Sequence, residues 1–464
     1  MLHDPKRDDS ARVLDLRPKD VWATLRRQTP AFWFLCLYVM VEYVRPQQVW
    51  TAIDVLPWGQ FTVAATLVAT LFEPPSRRKW FFLDTWLTLF TVILILSVAG
   101  AFSFSYSVAR LEVFINWLLL FYLTTRIVRT ERALLLYFLA FVLWSLKMSQ
   151  HGTRTFLSRG LAFASWGATG APGWFHNSGE FAIQMCVFLP MALHFILAFR
   201  NRWPKWKTFG LLILLPGTAF ISLLASSSRG GQVAGAAVLV FMVIQSRNRW
   251  RGLVAIAVLL PALWFIMPAE QKTRFDSMGD DNTSVARLTL WRHGLEIMRD
   301  YPILGVGYES WLPYYRQHYR TDGQVSHNIF IQAGAELGYT GLLAFVALIV
   351  ATFLANARTR RRTVGDGEWG AFLRSMAFGL DAALVGYLVA GFFVTVLYYP
   401  FFWMNLTLTA TLYLITERRY RERQRTNPGA SRAAAGEGRG SGLLLSPSPL
   451  AVNRMGASPR HRGR

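Results

Sequence analysis

About a dozen stretches of this chain are nearly free of charge and are long enough, or almost long enough, to cross a hydrocarbon layer. They lie at 31–44, 58–72, 81–103, 113–125, 133–149, 179–199, 209–225, 230–245, 253–267, 328–355, 371–394 and 397–416. In lipid, backbone N–H and C=O groups have no water to bond, so each crossing segment must satisfy its own, which a helix does. The expected fold is therefore all-α: a polytopic membrane protein with about twelve transmembrane helices. Composition agrees, because 53% hydrophobic against 16% charged residues leaves too little charge to cover a soluble protein of 464 residues.

A net charge of +22 could point to nucleic acid, but the basic residues are not gathered on one stretch. They fall in short clusters between apolar runs, as topogenic signals do, so no nucleic-acid partner is expected. The clusters are Arg77–Lys79, Arg126/Arg129/Arg132, Arg200/Arg202/Lys205/Lys207, Arg247/Arg249/Arg251 and Arg358/Arg360/Arg361/Arg362, one in every second loop. The positive-inside rule places them, residues 1–30 and the tail in the cytoplasm. It leaves 150–178, 226–229 and 268–326 outside, the last as a large loop between the ninth and tenth spans. Residues 31–416 would then form the transmembrane domain. The tail 417–464, with 11 basic and 3 acidic residues, reads as disordered and able to rest on anionic membrane lipid. The polar first thirty residues hold no cleavable signal peptide, and the first apolar run would act as a signal anchor. Cys36 and Cys186 sit inside apolar runs and read as packing residues.

Ionisable residues within spans are costly and often functional. Asp381 is the clearest mid-span case, with a hydrogen bond to a neighbouring helix and a functional role both open. Lys147, Arg110 and Glu180 lie near the outer span ends, where they either snorkel or line an outward-facing cavity. His194 reads as packed or capped.

Two outer segments carry chemistry. In A-S-S-S-R-G-G-Q, Ser226–Arg229 precedes a span whose free N–H groups and positive dipole end point outward, an anion site suited to a pyrophosphate. Gly231 and Gly235 also form G-x-x-x-G, a helix-packing spacing, and the two readings are compatible. In the long loop, Leu288, Trp291, Leu295 and Met298 recur at three and four residues, predicting an amphipathic helix at the membrane surface, begun by Arg287 and stopped at Tyr301-Pro302. Arg292 lies on the same helix. Gly305-Val306-Gly307 lacks a preceding strand and reads as a turn, as does Asp280-Asp281. His327 is expected to open the next helix with Ser326 as its cap, and a helix N-terminus would keep the imidazole neutral. Glu336 is expected to pair with Gln332 at i, i+4 rather than to orient His327.

The combination S-S-S-R-G-G, R-L-T-L-W-R-H-G-L-E-I-M, D-Y-P-I-L-G-V-G-Y and H-N-I-F-I-Q-A-G-A-E-L-G, with F-H-N-S-G-E-F-A upstream, resembles the O-antigen ligase and polymerase superfamily of bacterial envelope glycosyltransferases. The resemblance covers about 226–341, plus an upstream element built on Asn177. It implies a multi-span inner-membrane enzyme with a large periplasmic loop. Such an enzyme transfers a glycan from undecaprenyl pyrophosphate to an acceptor hydroxyl, without metal, nucleotide or other cofactor. It maps pyrophosphate-binding arginines onto Arg229 and Arg287 and the catalytic histidine onto His327. Asn177, Lys147, Arg110 and Arg292 are further candidates for substrate binding. Ligation of O-antigen to the lipid A core is the expected activity. A polymerase, a protein O-oligosaccharyltransferase and, from another class, a twelve-span transporter are the alternatives.

Overall fold

A computed structural model describes residues 12–74, 78–163, 167–246, 248–266, 272, 282–319 and 323–426. The described residues are helical, with no strand among them. Their helices are α1 (Pro18–Leu25), α2 (Pro30–Tyr43), α3 (Trp58–Leu71), α4 (Phe82–Ala99), α5 (Phe104–Ile127), α6 (Glu131–Ser158), α7 (Ser178–Phe199), α8 (Lys205–Ala225), α9 (Arg229–Gln245), α10 (Arg249–Ile266), α11 (Asn282–Asp300), α12 (Trp311–Tyr319), α13 (Ile329–Arg362), α14 (Gly367–Gly391) and α15 (Pro400–Thr426), with a short helical turn at Pro46–Val49. Each expected apolar run falls on one helix. Of these helices α4, α5, α6, α7, α8, α13 and α14 are long and apolar enough to cross a membrane.

Arg77, Arg247, Asp280, Asp281 and Arg320 lie outside the described residues, as does the tail beyond Thr426. The described residues up to Glu417 belong to one compact unit, and the described part of a second, from Arg418, is helical.

Polar residues begin the helices where the chain needs them. Thr29 and Thr130 accept from the N–H groups of Phe32 (3.4 Å) and Ala133 (3.2 Å), satisfying donors that a helix start leaves open. Helices α7 and α14 form the centre of the core. There Gly386 lets the backbones approach, since a methyl group at that position would stand 2.8 Å from Val238 and 3.1 Å from Cys186. Gly231 and Gly235 pack α9 against Ala182 and Leu223, so the small-residue spacing does serve packing. Asp381 is buried, bonded by Asn356 Nδ2 at 2.8 Å and paired with Arg360, which gives it the structural role left open above. His194 packs on Phe378 and takes Ser375 Oγ on its backbone carbonyl at 2.7 Å.

The bundle has two chemically distinct ends. At one, Arg202 pairs with Asp15 (2.7 Å) and Glu368, Lys207 donates to the Asp15 carbonyl (3.2 Å), Arg358 covers the Phe82 ring, and Arg362 pairs with Glu417. Helices α7 and α13 run from the other end toward this basic one, and their starts border the cavity described below.

The segment between α11 and α13 fixes that other end. Helix α13 is interrupted at Gly338 (φ +70, ψ −176), which frees carbonyls upstream of the break. The Ala335 and Glu336 carbonyls accept from Val306 N–H (2.9 Å) and Gly307 N–H (3.0 Å), and the Glu336 carbonyl also accepts from Ser97 Oγ (2.8 Å). Gly305-Val306-Gly307 is thus the expected turn, with both glycines at positive φ, docked onto a broken helix. Helix α11 starts at Asn282, five residues before Arg287. Its expected apolar stripe divides: Met298 is buried with Leu290 and Ile297 toward α13, while Leu288 and Leu295 stay exposed.

Candidate active site

At the end opposite the basic clusters lies a cavity of about 580 Å³. It is bordered by the starts of α5, α7 and α9, the α11 helix, the loop after Gly307, the α12 start, the entry to α13 and the α14–α15 connection. The expected residues Arg229, Arg287, His327, Asn177 and Arg110 all line it. Lys147 and Arg292 are exposed and do not.

Three helix starts meet here, each with its own cap. Asn177 accepts from Gly179 N–H (2.8 Å) while Glu180 accepts from the Asn177 N–H (3.2 Å), a capping box that opens α7. Ser228 accepts from Gly231 N–H (3.3 Å) at the start of α9, so Arg229 is its first residue. Asn328 accepts from Phe330 (2.8 Å) and Ile331 (3.2 Å) at the start of α13. His327 therefore does not open the helix and Ser326 is not its cap: the Asn328 carboxamide reaches both free N–H groups, leaving His327 two residues before the first helical position.

His327 adopts φ +52, a left-handed conformation uncommon outside glycine, and its N–H donates to Thr395 Oγ1 at 2.7 Å. Trp291 Nε1 holds the preceding carbonyl of Ser326 at 3.1 Å. Burial, and then the nearby Arg287 guanidinium, push the imidazole down to about 4, so it is neutral at pH 7. The expected neutrality is present, but its main cause is desolvation rather than a helix dipole.

Three carboxylates face the same space: Glu180, Glu309 and Glu336. Glu309 stands 3.8 Å from Arg110, itself stacked on Tyr106 at 3.5 Å. Burial raises the Glu309 carboxyl above its ordinary value and Arg110 opposes that rise. Glu336 is buried and accepts from Gln332 Nε2 at 3.4 Å, the expected i, i+4 pair. Aromatic walls come from Tyr106, Trp174, Trp311, Tyr398 and Tyr399. Glu309 directly follows D-Y-P-I-L-G-V-G-Y, one of the motifs quoted above. Tyr398 and Tyr399 precede Pro400, whose place at the first helical position marks them as connection rather than span.

Among the described residues, six non-glycines have positive φ: Leu16, Arg45, Leu161, Ser227, Glu309 and His327. The last three line this one cavity. Such conformations cost on the order of 1–3 kcal/mol each and tend to persist at functional sites, where surrounding contacts impose them. The arrangement offers cations for an anion, one of them at a helix start, a neutral imidazole to accept a proton, and aromatic faces with polar groups to hold a hydroxylated substrate.

Residues 209–346 match the family model described as O-antigen ligase. That span contains Arg229, Arg287, Glu309, His327 and Glu336, whereas Arg110, Asn177, Glu180 and the Thr395–Tyr399 wall come from outside it. Among curated proteins, the exopolysaccharide production protein ExoQ of Rhizobium meliloti (strain 1021) is 28% identical over 118 residues. The match takes in 23% of this chain and 26% of that relative's length.

Proposed function

From a chain that carries an O-antigen ligase family segment at residues 209–346, we propose a membrane glycosyltransferase that ligates O-antigen. It moves a glycan from undecaprenyl pyrophosphate to a hydroxyl of the lipid A core, at the periplasmic face of the bacterial inner membrane. The observation that carries this reading is the meeting of Arg229, at the start of α9, Arg287, in the second turn of α11, and His327, just before α13, on one cavity. With the basic clusters in the cytoplasm, both termini lie inside and 268–326 outside, in a bundle of about twelve spans. Residues 31–416 act as the transferase domain and 417–464 as a tail on the membrane lipids.

In the reaction, the acceptor oxygen bonds to the anomeric carbon as the bond from that carbon to the pyrophosphate oxygen breaks. The departing lipid pyrophosphate keeps the bonding electrons, and Arg229 and Arg287 take up its growing charge. His327 accepts the acceptor's proton. It becomes a better base as the arginines are neutralised by the leaving group, because their repulsion of an imidazolium then fades. Asn177 and Arg110 bind substrate from the α7 and α5 sides; Lys147 and Arg292 would meet only distal parts of it. The chemistry requires no metal or other cofactor.

The relative named for exopolysaccharide production favours a second reading, in which the acceptor is another lipid-linked glycan and the product is a longer chain. Purified protein incubated with lipid-linked glycan and lipid A core separates the two. Capped core is the expected product, longer lipid-linked glycan would mean polymerisation, and the absence of both would overturn the proposal. Persistence of turnover in a chelator tests the metal-free claim.

A further inference from the structure

A second cavity of about 260 Å³ lies beside the first and shares Val113 and Trp174 with it. It is formed by the end of α2, the Pro46–Val49 turn, the start of α3 and the middle of α5. At roughly 30 Å³ per water, this is room for a ring-sized solute rather than a bare ion. We infer that it is a saccharide subsite, binding an uncharged, hydroxyl-rich sugar unit next to the transfer centre. The inference rests on the proposed glycosyl transfer and names where one glycan segment sits.

The lining has the two kinds of surface a pyranose presents. Trp58, Trp117 and Trp174 supply indole faces, and each ring is fixed by its own N–H: to the Ile53 carbonyl (2.6 Å), the Tyr398 carbonyl (2.8 Å) and Glu42 Oε2 (2.7 Å). With their donors engaged, the half-buried Trp58 and Trp174 rings offer apolar surface that loses little entropy on binding, and the buried Trp117 backs Trp174 at 5.9 Å. Between them stand planar polar groups: Gln47, Gln48, Gln60, Asn116 and the carboxylates. The buried Gln47 Oε1 has no hydrogen-bond partner, a state that costs free energy until a donor such as a sugar hydroxyl arrives.

Charge selects against an anion. Glu42, Asp54 and Glu112 outnumber Arg45, which disfavours a phosphate. The carboxylates are oriented by their neighbours and keep acceptor sites for hydroxyl donors. Glu42 already accepts from Trp174 and faces Arg45 at 3.8 Å, Asp54 accepts from Gln48 at 3.2 Å, and Glu112 accepts from Gln60 at 2.6 Å. A neutral polyol can share these bonds without removing a counter-charge. Arg45 is itself at φ +49, ahead of Pro46, a conformation that places its guanidinium 5.8 Å from the Trp174 ring.

The test uses the full chain in nanodiscs and measures equilibrium binding of oligosaccharide freed from its lipid carrier by mild acid, and of core oligosaccharide freed from lipid A. The one that binds tells whether donor or acceptor glycan occupies the subsite, and either supports it. Binding should be the same in His327→Ala, should not be displaced by inorganic pyrophosphate, and should weaken about tenfold in Gln47→Leu/Asn116→Leu, as expected for one or two lost hydrogen bonds. Gln47→Glu keeps an acceptor oxygen and should retain most of the affinity. If the double variant does not accumulate, Gln47→Leu alone is read the same way. Unchanged affinity in these leucine variants, displacement by pyrophosphate, or no binding of either oligosaccharide to the wild type overturns the subsite. Loss of binding in the leucine variants together with full turnover by His327→Ala would instead leave the subsite standing and remove the proposed mechanism.

Discussion

The sharpest consequence of the site concerns pH. Burial first, and Arg287 second, bring His327 to about 4, against an ordinary value near 6.5. At pH 7 its imidazolium is then about one part in a thousand, where a free histidine would be about one-quarter protonated. The folded group binds its proton less readily, so the proton-accepting form persists as pH falls and is lost only near pH 4. For wild-type protein, the acid limb of kcat/KM should therefore lie roughly two to three units below that of an ordinary histidine base. Arg287→Ala removes the second cause but not the first, so in its residual activity the limb should move up yet stay below about 6.5. Glu309 titrates in the same cavity, held above its ordinary value by burial. His327→Gln is therefore profiled alongside, because the limb that belongs to the imidazole must vanish there. His327→Ala should turn over about 10² to 10⁴-fold more slowly, with donor binding within a few-fold of wild type. The reasoning fails if His327→Ala keeps wild-type turnover. It also fails if the acid limb lies at 6.5 and is indifferent to Arg287.

Arg229→Ala and Arg287→Ala should each reduce transfer severely at normal membrane abundance, with lysine restoring only part, since an ammonium cannot form the two-pronged contact of a guanidinium; full activity in Arg229→Ala would remove it from the pyrophosphate site. Cysteines at exposed Val285 on α11 and exposed Val364 beside the basic cluster should label from the periplasm and the cytoplasm respectively, and the reverse pattern would invert the proposed orientation. Gly338→Ala should lower thermal stability by about 1–3 kcal/mol, because φ +70 with ψ −176 is a conformation open essentially to glycine alone; an unchanged melting temperature would mean that the break in α13 does not depend on it.

What the sequence made legible follows from which interactions are local. Apolar runs are local, and each expected run proved to be a helix. Arg229 could be placed at a helix start because Ser228, its cap, is its immediate neighbour. The start of the helix after His327 was placed two residues early for the same kind of reason: Ser326 and Asn328 both resemble caps, and only the three-dimensional reach of Asn328 to Phe330 and Ile331 decides between them. Glu180, Glu309 and Glu336 could not be assembled from the chain alone, since they arrive from segments more than a hundred and fifty residues apart at the extremes and meet only through tertiary packing. The pattern on α11 does not by itself tell that Leu290, Ile297 and Met298 meet the neighbouring helix while Leu288 and Leu295 stay exposed.

The break in α13 joins these points. An uninterrupted helix through Gly338 would bond its own carbonyls at Ala335 and Glu336 and leave Val306 and Gly307 without acceptors. Because the helix is broken, those carbonyls hold the loop, and the loop turns at Gly305 and Gly307 to present Tyr308 and Glu309. Tyr308 then donates to the Arg110 carbonyl at 3.1 Å, and Glu309 meets the Arg110 side chain at 3.8 Å. One backbone irregularity in α13 thus sets the position of an arginine and a carboxylate on the far wall of the cavity. Its cost is borne by glycine, the residue for which a positive φ is least costly. Sites in helix bundles are commonly built from side chains on facing regular helices. This one uses a helix break and three left-handed residues to hold cations, carboxylates and an imidazole around a single cavity.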